Sequence, residues 1–167
     1  MTRQSEPRAE PIECGPLRAG EERAVIEMVL SSFEAAIAPL YSSRGVAEFK
    51  KYASLKEMAF RSARAHFVYV ARQDRDPVGM IEIRDHRHIS MFFVKSACQQ
   101  MGIGRKLLAC ALNRCMEKNP ALAAVTVNAS PNAVPAYRHL GFNPNPPEKI
   151  INGIRYIPMQ KNLARVC

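Results

Sequence analysis

Residues 99–104 read Gln99-Gln100-Met101-Gly102-Ile103-Gly104, and the chain turns basic immediately afterwards at Arg105 and Lys106. A β-rich run precedes this segment and a helical pattern follows it, so the two glycines stand where a helix begins. Positions without side chains let an anion approach the backbone, where N–H groups lacking a helical partner and the positive helix end can hold it. The chemistry such a loop offers is the grip of a pyrophosphate. Two glycines alone fit an ordinary helix start equally well. No GxxxxGK[ST] run occurs, which excludes a P-loop, and no third glycine is followed by an acidic residue about 20 positions on, as a dinucleotide site requires.

Other reactive side chains are few. Glu82 lies in the apolar run Met80-Ile81-Glu82-Ile83, where loss of water makes a carboxylate a better proton acceptor and so a candidate general base, directly or through water. Its competing role is to pair with Arg84 or to bind substrate. His86 and His88 are weaker candidates for a base and read as surface residues of a hairpin. The five cysteines are odd in number, and Cys110 and Cys115 fall inside a helical pattern, which suits a reduced, intracellular and soluble cytoplasmic protein. Cys98, Cys110 and Cys115 have no matched His and Asn or Asp, so no thiol nucleophile is expected. No CxxC pair or histidine cluster has metal-ligand spacing, and no metal is expected.

The elements that must position these groups follow from periodicity. A flexible tail over residues 1–10 precedes a short strand at 12–17. Val25, Ile26, Val29, Leu30, Phe33 and Ile37 recur at three and four residues, which predicts a helix over 20–38 ended by Pro39. A second helix follows at 46–53, and Ser54 with Glu57 forms a capping box that opens a third, running to 65. The period then changes. Runs at 67–71, 78–84 and 89–95, separated by turn residues, predict an antiparallel meander. Helical spacing returns over 102–118, followed by a strand at 122–127. Pro135 belongs in the first turn of a helix over 133–140 with Asn132 as N-cap and Gly141 as terminator. Strands at 142–145 and 154–163, joined by a proline-rich segment, close a single domain over residues 11–167.

A hydrophobic content of 47% fits a folded globular domain rather than a disordered chain. No apolar run approaches the roughly 18 residues of a membrane span, and no membrane partner is expected. The formal charge of +9 is spread over scattered Lys and Arg rather than a run, so no specific nucleic-acid partner is expected, and a polyphosphate ligand would profit from the same field.

Phe92-Phe93-Val94, then Gln99, Gly102 and Gly104, and finally Ala136-Tyr137-Arg138-His139-Leu140-Gly141-Phe142 together resemble the Gcn5-related N-acetyltransferase (GNAT) superfamily in order and spacing. The resemblance is most specific over residues 88–142. It implies a three-layer α/β/α domain whose mixed, mostly antiparallel sheet is splayed between the fourth and fifth strands. It further implies acetyl-CoA as co-substrate, with pantetheine along the backbone of Phe92, Phe93 and Val94 and the pyrophosphate cradled by the amides from Gln99 and Gln100 through Met101, Gly102, Ile103 and Gly104 to Arg105. A backbone N–H near Phe93 or Val94 would polarise the acetyl carbonyl. Tyr137 falls where the family carries its general acid, although without the motif a tyrosine packed beneath a helix is the plainer reading. Asn128 and Ser130 either contact pantetheine or serve turn chemistry with Asn132. Ser96 and Ser130 depart from the residues frequent in the family at those positions.

The function implied is acetyl transfer to a primary amine, on a small molecule or a peptide, by direct attack, in a monomer or homodimer. An acyl-CoA-binding regulatory module without turnover is the alternative. The acceptor's walls are expected from residues 35–52 and 149–158, where Tyr41, Arg155 and Tyr156 could line it.

Overall fold

A computed structural model describes residues 10–164. The tail expected over residues 1–10 lies outside the described residues apart from Glu10. The sheet comprises β1 (Glu13–Pro16), β2 (His66–Gln73), β3 (Asp76–Arg84), β4 (His88–Val94), β5 (Ala124–Ala129), β6 (Asn143–Pro144), β7 (Lys149–Ile151) and β8 (Ile154–Asn162). The helices are α1 (Glu22–Ala36), α2 (Ser43–Tyr52), α3 (Leu55–Ser62), α4 (Ile103–Lys118) and α5 (Val134–His139). In space the strands run β1-β2-β3-β4-β5-β8-β6, with β7 hydrogen-bonded to β8 alone. Every pairing is antiparallel except β4 with β5.

Strand alternation builds the three layers. Val68, Val70, Met80 and Met91 point to one face and are covered by Val25, Ile26, Met28 and Val29 of α1 and Met58 of α3. Ala71, Ile81, Ile83 and Ile89 point to the other, beneath Leu107, Leu108, Ala111, Leu112 and Cys115 of α4. Each fully buried aliphatic side chain contributes about 1.5–3 kcal/mol relative to exposure, so these two cores fix the sheet between its helices. A part-buried ion pair ties the start of α1 to β2, where the Arg72 guanidinium meets both carboxylate oxygens of Glu21 at 2.5 and 2.7 Å.

The helix starts are local. Ser42 Oγ accepts from the Gly45 N–H, and Ser54 Oγ accepts from the Glu57 N–H, so the predicted cap at Ser54 is present and contributes about 1 kcal/mol. Its helix ends at Ser62, short of 65. Asn132 is not the N-cap of α5, because the chain makes a 3₁₀ turn over Pro131–Ala133 before Val134. Its side chain instead donates to the Ala36 carbonyl at 2.9 Å. Pro135 keeps its first-turn position. The end of the proline-rich joining segment forms β7, and the strand expected at 142–145 shrinks to Asn143–Pro144. Among the described residues no helix is long and apolar enough to cross a membrane.

The β7–β8 hairpin turns at Asn152-Gly153 and rests on the start of α2. Gly45 and Gly153 meet backbone to backbone there, and a Cβ on either would run into the other's main chain. Arg44 Nη2 adds a bond to Asn152 Oδ1 at 2.8 Å. Gly45→Ala therefore has to push the hairpin off α2. Chemical denaturation is expected to show a loss of about 2 kcal/mol, and an unchanged midpoint would contradict the close approach.

Candidate active site

β4 and β5 share only two paired positions, His88 with Thr126 and Ile89 with Val127. Beyond Ile89 the strands part, and β4 from Met91 to Val94 keeps β3 on one edge and, among the described residues, no strand on the other. A cavity of about 1140 Å³ fills the gap. It runs from the loop before α4, past Phe92, Phe93 and Val94, to walls supplied by α2 and the β7–β8 hairpin.

The loop end fits a pyrophosphate. Lys106 N–H makes the first bond of α4, to the Gly102 carbonyl at 3.0 Å, which leaves the amides of Ile103, Gly104 and Arg105 without helical acceptors. Gly102 has φ +77°, which an L side chain rarely adopts. At Gly104 a Cβ would stand 3.6 Å from the Phe92 ring and begin to fill the cradle between α4 and β4. Gln99 anchors the loop by donating from Nε2 to the Val94 carbonyl at 3.2 Å, and Arg105 reaches the His139 carbonyl at 3.2 Å. Gln99, Gln100, Gly102, Ile103, Gly104 and Arg105 all line the cavity. Met101 does not, its side chain being exposed to solvent.

Tyr137 enters from α5. Its ring packs edge-on against Phe92 at 6.0 Å and Phe142 at 5.5 Å between centroids. These contacts hold it in the core, yet it also lines the cavity. Among the described residues no group bonds its hydroxyl, which is not sealed from solvent. Burial pushes the phenol's pKa well above the usual tyrosine range, so the proton stays on oxygen. Asn128 is exposed at the cavity wall. Ser130 is buried there and donates to Asn132 Oδ1 at 2.8 Å, which is the turn chemistry considered for it.

Glu82 is wholly buried and lines no part of the cavity. Its partner is Arg61 rather than Arg84: Nε donates to Oε1 at 2.8 Å and Nη2 to Oε2 at 3.3 Å. Ser90 Oγ donates to Oε2 at 2.9 Å and Tyr52 Oη at 3.4 Å, while His66 Nδ1 lies 3.4 Å from Oε1. Arg61 came from a helix 21 residues away, which strand patterning could not connect to Glu82.

His88 is not a surface hairpin residue. It begins β4, is half-buried in the cavity wall, and its Nδ1 is 2.8 Å from Thr126 Oγ1. Burial, followed by the Arg84 charge, lowers its pKa to about 4, so the imidazole is neutral at pH 7. Its position beside the two β4–β5 pairs is the signal that sequence alone did not carry. Tyr41 and Tyr156 line the end of the cavity walled by α2 and the β7–β8 hairpin, but Arg155 turns away to Glu148 at 2.7 Å.

A family model for the acetyltransferase (GNAT) domain matches residues 37–163. The chain belongs to the GNAT acetyltransferase family. No curated protein matches the sequence. Among solved structures, PaiA N-acetyltransferase from Thermoplasma acidophilum, in complex with coenzyme A, is similar with a TM-score of 0.76 at 17% identity, covering 92% of this chain and 100% of that one. A GCN5-related N-acetyltransferase from Rhodopseudomonas palustris gives 0.74 at 19% identity over 95% and 100%. Apo YjaB from Escherichia coli gives 0.63 at 20% identity over 94% and 99%. At these identities the likenesses show the fold, and the splayed mixed sheet of the GNAT chain is that fold.

The lowered pKa of His88 has a consequence for stability. Its neutral form is favoured in the folded state, so its contribution is complete above the unfolded value of 6.5 and is lost as pH falls from there through about 4. Thermal unfolding should show a falling Tm across that window. His88→Gln, which retains a hydrogen-bonding side chain beside Thr126, is expected to show a shallower fall; superimposable pH profiles would rule out the assignment.

Proposed function

We propose that this GNAT protein transfers the acetyl group of acetyl-CoA to a primary amine by direct attack, with Tyr137 as general acid. The observation carrying this reading is that one continuous cavity joins the free amides of α4, the unpaired edge of β4 and the Tyr137 hydroxyl. Acetyl-CoA would supply an acetyl thioester there. The amides of the loop and of Gly104 and Arg105 bind the pyrophosphate through backbone donors and the helix dipole, and the edge of Phe92–Val94 offers main-chain partners to pantetheine and to the acetyl oxygen.

Tyr137 holds a proton at its Oη beside the splay and can release it to a departing thiolate. The phenol is protonated at neutral pH, as a donor must be; burial raises its pKa and so weakens it as an acid, and the role rests on its position beside the splay. The residues of α2 and of the β7–β8 hairpin close the acceptor end.

Release of free thiol from acetyl-CoA, measured over a panel of small amines, polyamines and peptides, tests the reading. Acceptor-dependent release is expected; coenzyme binding with no release for any acceptor would favour a regulatory module. With an active acceptor in hand, Tyr137→Phe should lower kcat at least about tenfold with near-normal coenzyme affinity. Unchanged turnover would remove Tyr137 from the mechanism.

A further inference from the structure

A bulge in β4 sets the character of the acceptor wall. Glu82 pairs with Met91 and Ile83 with Ile89, so Ser90 is an extra residue opposite β3. Bulges redirect side chains, and here Ser90 turns onto the face that carries Glu82. Its hydroxyl proton goes to Glu82 Oε2 at 2.9 Å, and the Tyr52 hydroxyl, 3.4 Å from the same oxygen, can spend its proton there too. Arg61 holds the carboxylate from behind, donates to the Tyr52 carbonyl at 2.7 Å and stacks 3.6 Å over the Tyr52 ring. The tyrosine and the carboxylate are thereby fixed together.

A hydroxyl has one proton and two lone pairs. Ser90 and Tyr52 both line the cavity while Glu82 does not, and a hydroxyl whose proton goes to Glu82 keeps lone pairs that can accept from a donor in the cavity. We infer that Ser90 and Tyr52, oriented by the buried Glu82–Arg61 pair, form the recognition site for the ammonium group of the acceptor. This rests on the amine-acceptor reading above and names the side chains that select for it. A primary ammonium carries three donors and no acceptor, which complements that pair. A carboxylate or phosphate would meet no available donor from these two hydroxyls.

The rest of this wall does not select by charge. The exposed Lys51 and Arg84 line it together with the half-buried Glu48 and Glu57, so charges of both signs offset one another there, and salt screens the exposed ones over about 8–10 Å. The aromatic side chains Tyr41, Phe49 and Tyr156 line the same end, and they suit an amine borne on an apolar or aromatic body. Hydrogen-bonding capacity at Ser90 and Tyr52 is therefore the discriminating feature. Glu82 is a positioning residue in this account, since it touches the hydroxyls and not the substrate.

The test is calorimetric, at pH 7 with saturating coenzyme A, using 2-phenylethylamine and its N,N,N-trimethyl derivative as probes. Both are cations, but only the first has N–H donors. The wild-type protein is expected to bind the primary amine at least about tenfold more tightly, a difference of about 1.4 kcal/mol. Ser90→Ala should abolish most of that preference, Ser90→Thr should retain it, and Tyr52→Phe should reduce it. Equal binding of the two probes, binding of neither, or a preference that survives Ser90→Ala as a purely steric effect would overturn the inference. Coenzyme binding measured in each variant reports that the domain is folded. If the preference depends on Ser90 but no acceptor yields free thiol, the ammonium site stands and the transferase reading fails. If thiol release proceeds and the preference ignores Ser90, the reverse holds.

Discussion

The separation of β4 from β5 is the constraint from which the site follows. Two parallel pairs at His88 and Ile89 hold the strands together, and beyond them the backbone of β4 has an edge with unmet hydrogen-bonding capacity inside a folded domain. Such an edge is costly unless water or a ligand satisfies it. The fold tolerates it because both faces of the sheet are already packed, by α1 and α3 on one side and α4 on the other. The cavity is therefore a consequence of two complete cores meeting at an incomplete strand pair. The N-terminus of α4 opens onto the same gap, so backbone donors from a helix and from a strand converge on one extended ligand.

Side chains are distributed along this gap by role. At the loop end the important groups are main-chain amides, and the side chains serve to hold them: Gln99 reaches back to Val94, and glycine permits the left-handed turn at Gly102. In the middle, Tyr137 is held between Phe92 and Phe142, which orients a hydroxyl without engaging its proton. At the acceptor end the pattern reverses, because Ser90 and Tyr52 have protons directed inward to Glu82. One cavity thus offers donors at one end, a free proton at its centre and acceptors at the other.

Much of this was legible in the sequence, and the reasons are local. Helical periodicity in α1 and α4, the β-rich runs of β2 to β4 between turn residues, the Ser54 cap and the Pro135 position are all set by neighbours within a few residues, and each appears in the structure. The loop before α4 was legible as a helix start, where Gly102 supplies the left-handed residue, while its two glycines alone left open what it binds. What was not legible depends on contacts between distant segments. Arg61 as the partner of Glu82 requires α3 to be laid over β3. His88 becomes a wall residue only because β5, 38 residues later, lies beside it. β7 exists because a hairpin can rest on α2 through two glycines, and Asn132 leaves its expected capping role because the Ala36 carbonyl is near. The bulge at Ser90 has no mark in the sequence, since a serine in a strand reads as an ordinary polar position.

The central claim is that backbone donors of the α4 N-terminus and of the β4 edge hold the coenzyme. It is tested most directly by adding acetyl-CoA to ¹⁵N-labelled protein and following the amide resonances. The account predicts large shifts for the amides of Gln99–Arg105 and Phe92–Val94, with the distal edge of the sheet around β1 unaffected. Shifts centred elsewhere on the molecule, or none at saturating ligand, would contradict it.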